Sequence, residues 1–223
     1  CAAFRSEQVG RANAPSAVLL HPGSARSAGP HLPAQFAESP AEPISPALEC
    51  AGRVQDCLTC LSEARPDAAF LSLDFVNAYN SLGRSWVLAA VRDRCPSLLP
   101  VVRTLCGGST RHYWPGAAGD CAAPVDAARG VDQGCPLSPA LFAIGTAPAL
   151  EELLARLRVL DPNAAVMAYL DDTYVVVSQE HAGTAVVLVK ELFGPRGLEL
   201  NMRKTRVWVP NGDTSKLHLD LED

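Results

Sequence analysis

The chain has 223 residues, a formal net charge of −5, 48% hydrophobic residues and 19% charged residues. That length holds one sizeable core, and the composition suits a folded globule rather than a disordered or fibrous chain. No apolar run reaches the roughly 18 residues of a membrane span, no secretory leader is visible, and the negative charge argues against a nucleic-acid partner, which ordinarily leaves a basic footprint.

The first residue is Cys1 rather than Met, so a fragment of a longer protein is expected. Residues 21–46 are rich in Pro, Ser, Ala and Gly and lack periodic apolar positions. A loop-like insertion is expected there. Residues 47–64 place Leu48, Val54, Leu58 and Leu61 at helical spacing, and Pro66 ends the helix. Cys57 and Cys60 form a CxxC with Cys50 upstream, but no second ligand pair follows at zinc spacing. Two thiols on one helix face are expected, and no disulfide framework.

Residues 69–75 read as a buried strand and 85–94 as a helix stopped by Pro96. A turn follows at Gly107-Gly108, then a loop over 115–124. Ser138 is expected to cap a helix with Pro139 at its first position, running to Arg158 with a kink or break at Pro148. Residues 165–170 and 173–178 are Val- and Tyr-rich strands separated only by Asp171-Asp172, which is hairpin spacing. A helix over 181–193, closed by Gly194-Pro195 and Gly197, leads to a last strand over 198–209. The order predicts an α+β fold with a ferredoxin-like split βαβ sheet. That architecture serves many functions, so the site must decide.

Three carboxylates stand out. Two adjacent Asp in a turn are ordinarily solvated, and a strand-end Asp such as Asp74 ordinarily caps its turn. On a split βαβ sheet, however, the strand carrying Asp74 neighbours the hairpin carrying Asp171 and Asp172. Hard oxygen ligands gathered at one sheet edge suit Mg²⁺. Tyr79, five residues after Asp74, reads either as a core aromatic or as a ring beneath an incoming sugar. In the segment from Gly130 to Phe142, Gly134 permits close backbone approach and Gln133 offers both donor and acceptor groups. Lys204 is either a solvated basic residue or a charge partner for a triphosphate.

Together these segments resemble the reverse transcriptase family, in particular the non-LTR (LINE-like) retrotransposon polymerases. The Asp74 segment resembles its first catalytic motif, Gln133 to Phe142 its QGxPLSPxLF motif, Tyr169 to Asp172 its YxDD box, and Gly197 to Thr205 its GLxLNxxKT motif. Gln8-Val9-Gly10 faintly resembles an upstream Q-x-G element. The resemblance implies a polymerase palm over 67–210, a partial, loop-rich fingers remnant over 1–66 and a tail over 211–223.

It further implies two Mg²⁺ ions, with Mn²⁺ as substitute, on Asp74, Asp171 and Asp172. Lys204 would assist at the triphosphate. Phe75, Tyr79, Gln133, Gly134, Pro136 and Tyr169 would line the substrate site, with Tyr79 as sugar gate. Partners would be an RNA template, a DNA primer and dNTPs, with no membrane and an intracellular, nuclear setting. Neither a basic fingers segment, a thumb nor an endonuclease is recognisable. An inactive retroelement remnant or nucleic-acid-binding module is therefore the second reading, and an unrelated ferredoxin-like nucleotide-binding domain the third.

Overall fold

The structure is a computed structural model that describes residues 46–113, 124–217 and 219. The Pro-rich stretch up to residue 45, the Gln8-Val9-Gly10 element and loop residues 115–123 lie outside the described residues.

Helix α1 (Pro46–Ala64) leads through a turn at Pro66 into strand β1 (Ala68–Leu73). The run Ala-Ala-Phe-Leu-Ser-Leu is nearly all buried, because β1 is a central strand covered on both faces. Short helix α2 (Ala78–Ser81) and helix α3 (Arg84–Arg94) follow, then a 3₁₀ turn and α4 (Leu99–Cys106). Strands β2 (Thr110–His112) and β3 (Val125–Ala127) pair as a separate antiparallel ribbon. Helix α5 (Ser138–Leu160) precedes β4 (Ala165–Tyr169) and β5 (Asp172–Ser178), and α6 (Ala182–Phe193) precedes β6 (Arg206–Trp208).

The main sheet runs β4-β5-β1-β6, every neighbouring pair antiparallel. Strands β1 and β4 are thus parallel to each other with β5 between them. Strand alternation divides the core in two. Ala69, Leu71 and Leu73 of β1, with Val175 and Val177 of β5, join the larger cluster containing Val87 and Val91 of α3, Leu153 and Leu157 of α5 and Val186 and Val189 of α6. Ala68, Phe70, Met167 and Val176 face the other way and are covered by Val54 and Leu58 of α1. Burying each such Leu, Val or Phe contributes about 1.5–3 kcal/mol relative to exposure.

Several expectations shift. The hairpin turn is Leu170-Asp171, one residue earlier than expected, and Asp172 belongs to β5, paired with Tyr169. Leu170 makes this turn by adopting φ 58°, a left-handed conformation that sequence patterns reserve for Gly or Asn. Helix α5 begins at Ser138 itself, with Leu137 at the cap position and no side-chain capping bond. It continues past Arg158 and runs through Pro148 without a break. Burial of Ala147, Ala149, Leu150 and Leu153 around the proline offsets its missing hydrogen bond. The last strand is only Arg206–Trp208, because residues 202–204 form a turn after Asn201. The β2–β3 ribbon had no signal in the apolar pattern; α4 was not expected, although Val102 and Cys106 stand one helical turn apart on its buried face.

Cys57, Cys60, Cys95, Cys106 and Cys135 are free thiols. Burial, then Cys60 and Asp56, push the Cys57 thiol up, away from a reactive thiolate. Among the described residues, no helix is long and apolar enough to cross a membrane.

Candidate active site

Asp74 directly follows β1, where the chain leaves the sheet. Its backbone is held by the segment after α6. The Asn201 N–H donates to the Asp74 carbonyl at 2.7 Å, the Val76 N–H donates to the Glu199 carbonyl at 2.9 Å, and Phe75 bridges to Leu200. The same segment turns back through residues 202–204 and brings Lys204 Nζ to 3.9 Å from Asp74 Oδ1. Both side chains are well exposed, so this pair is a loose one.

The β1–β5 register ends with Leu73 opposite Thr173. One further step along it aligns Asp74 with Asp172. Asp171 stands exposed at the hairpin tip, while Asp172 is half-buried at the start of β5. The Asp172 carboxyl is pushed up to about 6, by burial first, then by Asp171, then by Asp74. All three carboxylates therefore share one electrostatic neighbourhood, and Asp172 takes most of the strain because it is the least solvated.

Tyr79 lies on α2, behind Asn77, which itself adopts φ 46°. Its ring stacks on Phe142 of α5 with centroids 4.7 Å apart. Burial, then Asp171 and Tyr169, drive the Tyr79 phenol far above its ordinary value, so it stays neutral. The ring thus sits in the field of the same carboxylates. Tyr174, on the face of β5 that also presents Asp172, is pushed up to about 12 by burial and then by Asp172.

The remaining expected residues divide. Tyr169 is half-buried and paired with Asp172 in the ladder. Gln133, Gly134 and Pro136 stand on an exposed turn before α5. That turn is joined to the Tyr79 helix by the Val131 N–H, which donates to the Tyr79 carbonyl at 2.8 Å. Gly134 needs its glycine for φ 95°, with open space where a side chain would be. The ring of Phe75, the residue next to Asp74, is buried and stacked on Phe193 at 5.1 Å. An aromatic next to a strand-end carboxylate has the same sequence signature in the core and at a substrate.

Among the described residues, no three His, Cys, Asp or Glu side chains are grouped closely enough to hold a metal ion as they stand. Like charges separate when only water screens them. The donor set itself fits a hard divalent cation, being entirely carboxylate oxygen. Asp172 is raised by burial first and then by its two charged neighbours, and a cation would relieve the charged part of that shift.

A family profile described as reverse transcriptase (RNA-dependent DNA polymerase) matches residues 33–217. The chain belongs to the reverse transcriptase family.

Within that family, the retrotransposable element SLACS 132 kDa protein of Trypanosoma brucei gambiense is 35% identical over 143 residues. This supports a non-LTR retrotransposon reverse transcriptase domain. The match covers 64% of this chain and 12% of that protein. In fold, the domain is similar to a telomerase from Candida albicans solved with a fragment of telomeric RNA. The TM-score is 0.58 at 14% identity, over 77% of this chain and 32% of that one. An apo telomerase from Candida tropicalis gives a TM-score of 0.55 over 73% and 32%. The reverse transcriptase domain thus spans about a third of the solved chains it matches and an eighth of the sequence relative.

Sequence reasoning missed two residues around this domain's site. Phe142 was visible only as the last letter of a motif, with nothing to mark it as the floor under Tyr79. Arg84 gave one overlooked signal: a cation in the first turn of a helix opposes the helix dipole, so a strong partner elsewhere was implied.

Proposed function

We propose that this domain is the catalytic palm of an RNA-directed DNA polymerase, which extends a DNA primer on an RNA template from dNTPs. The observation that carries the reading is the register between β1 and β5, which sets Asp74 beside the Asp171-Asp172 hairpin. The strand order β4-β5-β1-β6, with two parallel strands split by an antiparallel one, supports a ferredoxin-like palm. In this reading 67–210 form the palm, 1–66 a partial fingers region and 211–223 a tail, although α1 packs directly on the palm sheet.

Asp74, Asp171 and Asp172 would hold two divalent cations, Mg²⁺ or Mn²⁺. Bound there, the ions would supply charge neutralisation for the attacking 3′-oxygen and the leaving pyrophosphate. The chain's own groups do the rest. Tyr79, neutral and braced by Phe142, places a flat ring beside the sugar, where a 2′-hydroxyl would collide with it. Gln133 and Gly134, with Pro136 following, form an exposed turn against which base and template would lie. Tyr169 shapes the hairpin next to the primer end. Lys204 would carry positive charge toward the triphosphate and return a proton to pyrophosphate. A nuclear site of action follows from the kinship with retrotransposon proteins.

A folded but catalytically silent retroelement domain is the second reading. The net charge of −5 favours it. The two are separated by assaying Mg²⁺- or Mn²⁺-dependent dNTP incorporation on a primed RNA, beside Asp171→Asn. Incorporation by the parent alone supports the active palm. A folded parent that incorporates nothing under either ion supports the silent domain.

A further inference from the structure

Arg84 is the first residue of α3, where its charge opposes the helix dipole, yet it is only 7% exposed. Such a placement requires hydrogen-bond partners for the guanidinium. Its Nε donates to the Gly130 carbonyl at 2.9 Å, its Nη1 to the Gly108 carbonyl at 2.5 Å and its Nη2 to Thr110 Oγ1 at 3.0 Å. All three acceptors are neutral oxygens, from the loop at Gly130, the turn at Gly108 and the start of β2, matched by the rigid fork of an arginine.

The Gly130 backbone is gripped from its other side as well. Its N–H donates to the Leu82 carbonyl at 2.8 Å, and the next N–H, of Val131, donates to the Tyr79 carbonyl at 2.8 Å. A Cβ at Gly130 would lie 2.4 Å from the Asn80 backbone, and the residue already takes φ 71°. The loop is therefore pressed between Arg84 and α2 with no room for slack. Three residues further along stands Gln133, and on α2 stands Tyr79. A second tie runs from the same ribbon, with His112 Nε2 at 3.6 Å from Asp132 Oδ1.

We propose that Arg84 is a positioning residue that fixes the Gln133 loop against the Tyr79 helix and so sets the width of the nucleotide pocket. It touches no substrate itself. The proposal rests on the polymerase reading for what the pocket binds, whereas the clamp stands on the contacts alone.

The test uses the full chain with Arg84→Gln, Arg84→Lys and the parent, read by two independent methods. Amide hydrogen exchange reports the clamp: Gly130 and Val131 should exchange at least about tenfold faster in Arg84→Gln, with the central strands protected as before. Steady-state incorporation on a primed RNA reports the pocket. The KM for dNTP should rise about tenfold, kcat should change by less than about threefold, and deoxy-over-ribo preference should fall about tenfold. Arg84→Lys should lie between parent and Arg84→Gln in both readouts. Unchanged exchange at Gly130 and Val131, or faster exchange with unchanged KM and sugar preference, overturns the proposal. If Arg84→Gln does not fold, Thr110→Val removes one of the three acceptors and must show the same pattern at smaller size. No shift there overturns it equally. A parent that exchanges as expected but incorporates nothing refutes the polymerase reading instead.

Discussion

Tyr79 and Phe142 lie stacked with ring centroids 4.7 Å apart and planes within 14° of each other. Tyr79 stands on a four-residue helix, which holds little stability alone, whereas Phe142 is buried in the 23-residue α5. The long helix therefore fixes the angle of the Tyr79 ring. Tyr79→Ala should admit ribonucleotides. Phe142→Leu should also weaken sugar discrimination, at a stability cost of about 1–2 kcal/mol. Competition between dCTP and CTP in primer extension checks both, and unaltered preference in Phe142→Leu would leave Tyr79 independent of its floor.

Asp161 offers a prediction about pH. It is buried and accepts hydrogen bonds from Arg65 Nη2 at 2.8 Å, from the Ser178 N–H at 2.8 Å, from Ser178 Oγ at 3.0 Å and from the Asn163 N–H at 3.0 Å. Burial pushes its carboxyl up, but Arg65, then the backbone of Ser178 and Asn163, outweigh it and hold the carboxyl below its usual range. A depressed folded value stabilises the fold above the unfolded pKa of about 4 and loses that effect as pH falls through the folded value. Asp161→Asn should lose about 3 kcal/mol at neutral pH. Its urea midpoint should then decline less steeply than the parent's below about pH 4.

Much of this was legible in the chain. The apolar run of β1 between Pro66 and Asp74, and the Val-rich run of β5, specify buried central strands through burial alone. The hairpin was legible but displaced by one residue, because turn chemistry favours Asp at the tip while the structure pays with a left-handed Leu170. The truncation of the last strand came from the turn that Asn201 begins, where its carbonyl accepts the N–H groups of Lys204 and Thr205. The β2–β3 ribbon was invisible because its three-residue strands are largely exposed. Arg84 was illegible as a clamp because two of its acceptors are backbone carbonyls 24 and 46 residues away, which no side-chain pattern encodes.

Pro148 is a local rule broken inside α5. It leaves the Ile144 carbonyl without its helical N–H donor. Pro148→Ala should stabilise the domain by about 1–3 kcal/mol, because the surrounding helix is already formed and buried. Thermal melts check this. A drop in midpoint would mean that the proline ring is packed better than the helix bond would be.

Asp172 titrates in the opposite sense to Asp161. Its folded value of about 6 lies above the unfolded one, so ionising it destabilises the fold as pH rises from about 4 to about 6. Above that window Asp172→Asn should raise the melting temperature in metal-free buffer. Added Mg²⁺ should raise the parent's melting temperature and do little for the variant. An equal Mg²⁺ response in both would separate Asp172 from any metal site.

In the proposed palm, Asp74 from β1 and Asp171 from the hairpin act as one site. The direct measurement is the single-turnover rate of dNTP incorporation on a primed RNA for Asp74→Asn, Asp171→Asn and the double variant. Groups that act as a unit give non-additive losses. Each single variant should lose at least about 10³-fold, and the double variant should lose no more than the worse single one. Losses that multiply in the double variant, or parental rates in Asp74→Asn, would mean that the two carboxylates do not share a site.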